Sequence, residues 1–182
     1  TVWPGKEQSP AIKPLATELI DSVEYYVKAN GLDPMRYNIE IKCRKGKDEG
    51  KNWPEYHEFV DKCMELLLSK NLGDRLVVQC FDARALNYMH EKYPQVKLSY
   101  LISKKDTDWD TYMGKLNFTP EWLSPEFVIV DQTMVDNCRK SGIRLVPWTV
   151  DNEADIRRIL DLHVEAIITN YPDRVLKITR GY

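Results

Sequence analysis

The segment YNIEIKC at 37–43 sets a carboxylate and an amine inside a run otherwise built like a strand. Read with a period of two, Asn38, Glu40 and Lys42 share one face, and Tyr37, Ile39, Ile41 and Cys43 share the other. A parallel strand covered on both faces should be apolar throughout, so the polar row marks a face with another purpose. A carboxylate is a hard oxygen ligand suited to Ca2+ or Mg2+, and an ammonium neutralises charge on an oxyanion. The same two groups also suit a structural ion pair inside a barrel, and spacing alone leaves both readings open. Other chemistry-bearing groups close apolar runs in the same way. Gln79, Phe81 and Asp82 end LVVQCFD, and Trp148 stands in VPWTV on one face with Val146 and Val150.

The elements that must position these groups alternate regularly. Six β-rich runs are expected, at 37–43, 75–81, 97–102, 126–131, 143–150 and 165–170. Amphipathic helical patterns fill most of the gaps. Leu15, Leu19, Val23, Tyr26 and Val27 form one stripe, stopped by Gly31. Phe59, Cys63, Leu66 and Leu67 form another, and Leu86, Met89 and Tyr93 a third. Asp151 or Asn152 is placed to N-cap the helix that holds Ile156, Ile159 and Leu160. The segment 105–125 reads as a short-helix connection, and KGKDEGKN at 45–52 as a charged loop. The aromatics Tyr25, Tyr26, Trp53, Tyr56 and Trp109 read as packing between helices. Alternation at this spacing means βαβ units and a parallel sheet.

An open doubly wound sheet usually announces a nucleotide site with a Gly-rich strand–helix turn, and neither GxGxxG nor GxxxxGK[ST] occurs here. The polar row fits a (β/α)8 TIM-type barrel better, with one strand face lining the lumen and the chemistry at the C-terminal mouth. Composition bounds the rest. The 182 residues suit a single domain running the whole chain, 1–182. A formal net charge of -2 offers no electrostatic reason to expect nucleic acid or a membrane surface. No apolar run long enough to span a bilayer is present. Cys43, Cys63, Cys80 and Cys138 show no metal-ligand spacing and read as unpaired thiols, a weak pointer to a reducing compartment.

Four motifs, IEIK at 39–42, VVQCFD at 77–82, PWTVDNEADIRRIL at 147–160 and AIITNYPDRV at 166–175, follow one another in a telling order. With PGKEQSPAIKPL at 4–15, they make the whole chain resemble the glycerophosphodiester phosphodiesterases. That resemblance implies a phospholipase-C-like barrel that hydrolyses glycerophosphodiesters to glycerol 3-phosphate and an alcohol. It implies that Glu40 is a ligand of a divalent cation, Ca2+ or Mg2+, and that Lys42 reaches the phosphate as a catalytic cation. Trp148 is expected against the glycerol, with Gln79 and Phe81 also on the substrate side. Asp82 is placed to meet the substrate or the cation's water shell. Where the family usually has Ser, Gly and Asp, this chain has Cys80, His163 and Asn170.

The family's HRG and HD motifs do not occur in these residues, and His57, His90 and His163 fit helix or turn positions instead. The runs present match the last six of eight barrel units, so the expected partner is the missing N-terminal part of the same barrel. Without it, the row Asn38, Glu40, Lys42 should lie on an exposed sheet face, with open sheet edges and little hydrolysis by these residues alone. A related phospholipase-C-like lipid phosphodiesterase and a non-catalytic binding half-barrel are the alternatives. The KEQ…KPL segment suggests a periplasmic or secreted protein, and the free thiols a cytoplasmic one.

Overall fold

The computed structural model describes residues 12–43, 46 and 49–180. Five parallel strands form one sheet in chain order: β1 (Tyr37–Glu40), β2 (Leu76–Cys80), β3 (Lys97–Ile102), β4 (Trp122–Pro125) and β5 (Arg144–Leu145). Helix α1 (Ala16–Ala29) precedes them. α2 (Tyr56–Leu68), α3 (Ala83–Lys92), α4 (Trp109–Met113), α5 (Gln132–Lys140) and α6 (Glu153–Asp161) follow in alternation, and α7 (Pro172–Arg180) comes directly after α6. Consecutive strands are always neighbours, which is barrel winding; a doubly wound sheet reverses its order partway. β1 pairs only with β2, so its other edge carries no strand among the described residues.

Local chemistry sets where each helix begins. Asp82, Asp108, Asp131 and Asn152 each accept a bond from a backbone amide two or three residues on, at 2.8 to 3.0 Å. A short acceptor at this position satisfies an amide that the first helical turn leaves free. Of the two candidates at 151–152, Asn152 is therefore the cap of α6. Asp151 is released for other work.

The two sheet faces differ sharply. Val78, Cys80, Leu98, Tyr100, Leu123 and Leu145 are buried toward the helices and join Val60, Met64, Leu86, Met89, Ile156 and Ile159 in one core. On the other parity stand Asn38, Glu40, Val77, Gln79, Lys97, Ser99, Trp122 and Ser124. Registers across β1 to β5 set Glu40 against Gln79, Gln79 against Ser99, Ser99 against Trp122 and Trp122 against Arg144. This face is the inner one of a curved sheet, because one cavity touches residues of all five strands.

Three expectations are corrected. The fourth strand is WLSP at Trp122–Pro125, and FVI at Phe127–Ile129 is a single 3-10 turn. A short apolar run does not reveal its own period, and the hydrogen-bond register was already taken by the preceding residues. Second, no named strand forms at 165–170. The segment still runs beside β5: the Ile168 amide donates to the Pro147 carbonyl and the Val150 amide to the Ile168 carbonyl, both at 2.9 Å. Third, the α1 stripe is rotated. Leu19 and Tyr26 are more than half exposed, as are Leu15 and Tyr25, whereas Ile20 and Val27 are buried.

The rotation of α1 has a visible cause. Arg75, just before β2, grips the Glu24 carboxylate with two parallel bonds at 2.7 and 2.8 Å, and the Tyr37 hydroxyl donates to the same group at 2.7 Å. Ile20, Glu24 and Val27 recur at i, i+4, i+7, so they share the face that this clamp turns inward. Leu15, Leu19 and Tyr26 are left outside.

Candidate functional site

The polar row lies where the strand count places it, at the C-terminal end of β1. Lys42 Nζ stands 2.7 Å from Glu40 Oε1; the lysine side chain is 75% exposed and the glutamate 25%. The ammonium therefore stands in solvent while the carboxylate is largely covered. The Ile41 amide donates to the Gln79 carbonyl at 2.9 Å, extending the ladder and bringing Lys42 level with Phe81.

The aromatic wall comes from two elements. Phe81 meets Trp148 edge-to-face, with ring centroids 5.6 Å apart and planes at 86°. Trp148 is held from three sides. Its indole N–H donates to the Ser124 carbonyl at 2.8 Å, its amide to Pro125 at 3.0 Å, and its carbonyl accepts from Phe127 at 2.7 Å. Such a pair offers an apolar surface with fixed geometry. Phe81 and Trp148 are thus brought together as expected.

Beneath the mouth is a polar layer that sequence reasoning largely missed. Ser99 and Ser124 are fully buried with their hydroxyl oxygens 2.7 Å apart. Gln79 Oε1 accepts from Asn38 Nδ2 at 3.0 Å and from the Ser124 hydroxyl at 3.4 Å. Gln79 is therefore a buried brace between β1 and β4, with its oxygen already committed. The available signal was parity: both serines share the face of Gln79 in otherwise apolar strands.

Asp82 is engaged within its own protein. It caps α3 and accepts from the Arg84 guanidinium at 2.6 Å, and Arg84 also reaches Glu49 at 3.1 Å. Its two oxygens are consumed by that network. Asp82 still lines a cavity of about 520 Å³ over the ends of β2 and β3, together with Phe81, Arg84, Tyr100, Asp106 and Lys115.

The family substitutions each find a physical account. Cys80 is buried and accepts from the Asp82 amide at 3.3 Å, so it packs. All four thiols are free; contact with Cys80 and burial push Cys43 up, burial pushes Cys63 up, and burial takes Cys138 up to about 12. His163 itself takes the left-handed conformation (φ 55°) that glycine adopts easily, so the turn is kept under strain. Asn170 donates from its side-chain amide to Asp151 at 2.9 Å and from its backbone at 2.8 Å. An aspartate there would repel Asp151. Burial pushes the Asp151 carboxyl up, yet these bonds with Thr169 and the nearby Arg174 hold it below its ordinary range.

The histidines also lie where the sequence put them. His57 is exposed on α2 beside Tyr56 and Tyr88, His90 stacks on Phe118 at 4.1 Å, and His163 occupies the turn after α6. Of the aromatics, Tyr56 and Trp109 pack against the core and Trp53 meets Phe59, but Tyr25 and Tyr26 face outward. The segments 4–11 and 44–45, 47–48 lie outside the described residues.

A divalent cation finds no complete centre in the described residues. No group of three or more His, Cys, Asp and Glu side chains gathers among them. Glu40 offers one carboxylate, with an ammonium already against it, where Ca2+ takes about six to eight oxygens. The described donor set does not fit the ion by itself.

Singly wound parallel strands, with charged and aromatic groups gathered at their C-terminal ends, define a barrel-type α/β protein whose site belongs at the mouth. Residues 9–174 match the Glycerophosphoryl diester phosphodiesterase family, and the chain belongs to it. A glycerophosphodiester phosphodiesterase of Bacillus subtilis is 30% identical over 120 residues, 65% of this chain and 41% of its own. One from Caldanaerobacter subterraneus is 24% identical over 126 residues, 69% of this chain and 51% of its own. The chain thus spans about half the length of these relatives. Among solved structures, an Oleispira antarctica phosphodiesterase in complex with the product sn-glycerol-3-phosphate superposes with a TM-score of 0.72. It is 20% identical and is matched over 92% of this chain and 61% of its own. A Parabacteroides distasonis glycerophosphodiester phosphodiesterase gives 0.65 at 21% identity, over 88% and 65%. The fold is the one those structures share. No described helix is long and apolar enough to cross a membrane.

Proposed function

We propose that this chain supplies the phosphate-facing and glycerol-facing half of a glycerophosphodiester phosphodiesterase site. The single observation that carries the reading is the shared rim: the Glu40–Lys42 pair at the end of β1, level with the Phe81–Trp148 wall. An exposed ammonium next to an apolar aromatic corner suits a ligand that is anionic at the phosphate and carbon-rich beside it. Lys42 stabilises phosphoryl oxygens most when they carry the most charge, so it acts chiefly on turnover. Phe81 and Trp148 pack against the glycerol carbons, while Gln79 holds the floor of the site rigid. The product-bound Oleispira structure makes glycerol 3-phosphate the reasonable product to assay.

The rest of the machinery lies outside the described residues on this reading. General acid–base help is commonly worth about 10²–10⁴-fold, and none of the described histidines lines the cavity beside Phe81. The partner is a further set of β/α units of the same barrel, pairing along the open edge of β1 and covering the outward face of α1. If Ca2+ or Mg2+ takes part, Glu40 is one ligand and the remaining oxygens come from that added segment.

The test is glycerol 3-phosphate release from glycerophosphocholine by the gene's full polypeptide. Lys42→Ala should lower kcat with a smaller change in KM, and Glu40→Ala should remove any dependence on added Ca2+ or Mg2+. Unchanged kcat in Lys42→Ala would sink the phosphate assignment. A Glu40→Ala enzyme with undiminished metal dependence would remove Glu40 as a ligand. The 182-residue chain on its own should release product no faster than buffer.

A further inference from the structure

The cavity of about 520 Å³ over the ends of β2 and β3 shares Phe81 with the aromatic wall. Its polar lining comes from Asp82 and Arg84 at the start of α3, from Tyr100 on β3, and from Asp106 and Lys115 on either side of α4. Tyr100 is 2% exposed, and the surface it keeps opens into this cavity. Its hydroxyl forms no hydrogen bond among the described residues, yet its oxygen is not wholly covered. Burial, with the charges of Asp106 and Asp82 on the same lining, pushes this phenol up to about 12. It therefore keeps its proton at neutral pH and stands as an unused donor. A buried hydroxyl without a partner is unfavourable, so a ligand group that bonds to it stabilises the site.

The charges around Tyr100 decide what that group is. Two cations face two carboxylates: Arg84 lies 2.6 Å from Asp82, and Lys115 lies 3.4 Å from Asp106. The lining is thus balanced and favours neither an anion nor a cation. The Lys115 bond is long, so its ammonium and Asp106 Oδ1 both keep capacity for a further partner. Donors and an acceptor around an apolar ring suit groups that donate and accept at once, which is the property of a hydroxyl. We propose that this cavity binds the alcohol moiety of the phosphodiester and selects a polyol, its hydroxyls toward Tyr100, Lys115 and Asp106 and its carbons against Phe81. The assignment rests on the phosphodiesterase reading above, which puts the glycerol phosphate of the substrate at the Phe81–Trp148 corner.

The experiment compares two diesters, glycerophosphoglycerol and glycerophosphocholine, by glycerol 3-phosphate release from the gene's full polypeptide. A choline head presents no group that bonds to the Tyr100 hydroxyl, so kcat/KM should favour glycerophosphoglycerol. Tyr100→Phe keeps the ring and removes the unpaired hydroxyl. It should shrink that preference by about threefold to tenfold, the worth of roughly one hydrogen bond. Lys115→Met, on another segment, should shrink it in the same direction. Release from glycerophosphocholine with no preference for the glycerol ester, or a preference that survives both variants, overturns the proposal and leaves the phosphodiesterase reading standing. Release from neither ester overturns both.

Discussion

Removing one hydroxyl from the Ser99–Ser124 pair tests whether the polar layer beneath the mouth is an obligatory network. Both side chains are fully buried, 2.7 Å apart, and Ser124 also donates toward Gln79 Oε1. Each hydroxyl has one proton, so if Ser124 spends its own on Gln79, Ser99 must donate to Ser124. Ser124→Ala then strands the Ser99 proton in a buried layer and should cost about 1–3 kcal/mol. Ser99→Ala leaves only a spare lone pair on Ser124 and should lie near the lower end of that range. The double variant removes both partners together, so it should be less destabilising than the two singles summed, by about 1 kcal/mol or more. Urea unfolding reads this directly. With a slope of about 2 kcal/mol/M, a loss of about 2 kcal/mol moves the midpoint by roughly 1 M. Effects that add within about 0.5 kcal/mol would refute the coupling and leave the serines as independent small residues.

Acid should loosen the attachment of α1. Bonds from Arg75 and Tyr37 hold Glu24 down at about 2 against an ordinary value near 4.5. A depressed carboxyl stabilises fully above its ordinary value, and the contribution disappears as pH falls from about 4.5 toward 2. Glu24→Gln should therefore be less stable at neutral pH and show a flatter stability profile across that window; an unchanged slope in urea titrations at stepped pH would contradict the clamp. His163→Gly should raise the melting temperature slightly, because about 1–2 kcal/mol of left-handed strain is relieved and glycine's extra unfolded-state freedom returns part of it. A lower melting temperature would show that His163 earns its place by contacts instead. On α1, Ile20→Ala should cost about 2–5 kcal/mol, while Leu19→Ser should stay near 0.5 kcal/mol in the 182-residue chain. Equal losses in thermal unfolding would mean the helix is seated the other way round.

Much of the site could be read before any coordinates. Period two in YNIEIKC separates Glu40 and Lys42 from Ile39 and Ile41, and that parity is a property of extended backbone wherever the strand ends up. The exposed positions of His57, His90 and His163 followed from their helical or turn contexts. The short polar caps after the strands were equally local, since a cap bonds to amides two or three residues away.

Other features were decided only by contacts distant in sequence. Glu24 and Arg75 are 51 residues apart, and their bidentate grip chose which of two apolar faces of α1 turned inward. Arg84 pairs Asp82 and, across another loop, Glu49, a three-residue link that no local pattern announces. WLSP became β4, displacing the more β-like FVIV, because Ser124 and Trp122 fit the register that β3 offered. The sequence by itself determined alternation, parity and caps, because these depend on neighbours within a few residues. Which face is buried, which carboxylate is free and which run is a strand belonged to the tertiary structure, because each is settled by a partner the local chain cannot name.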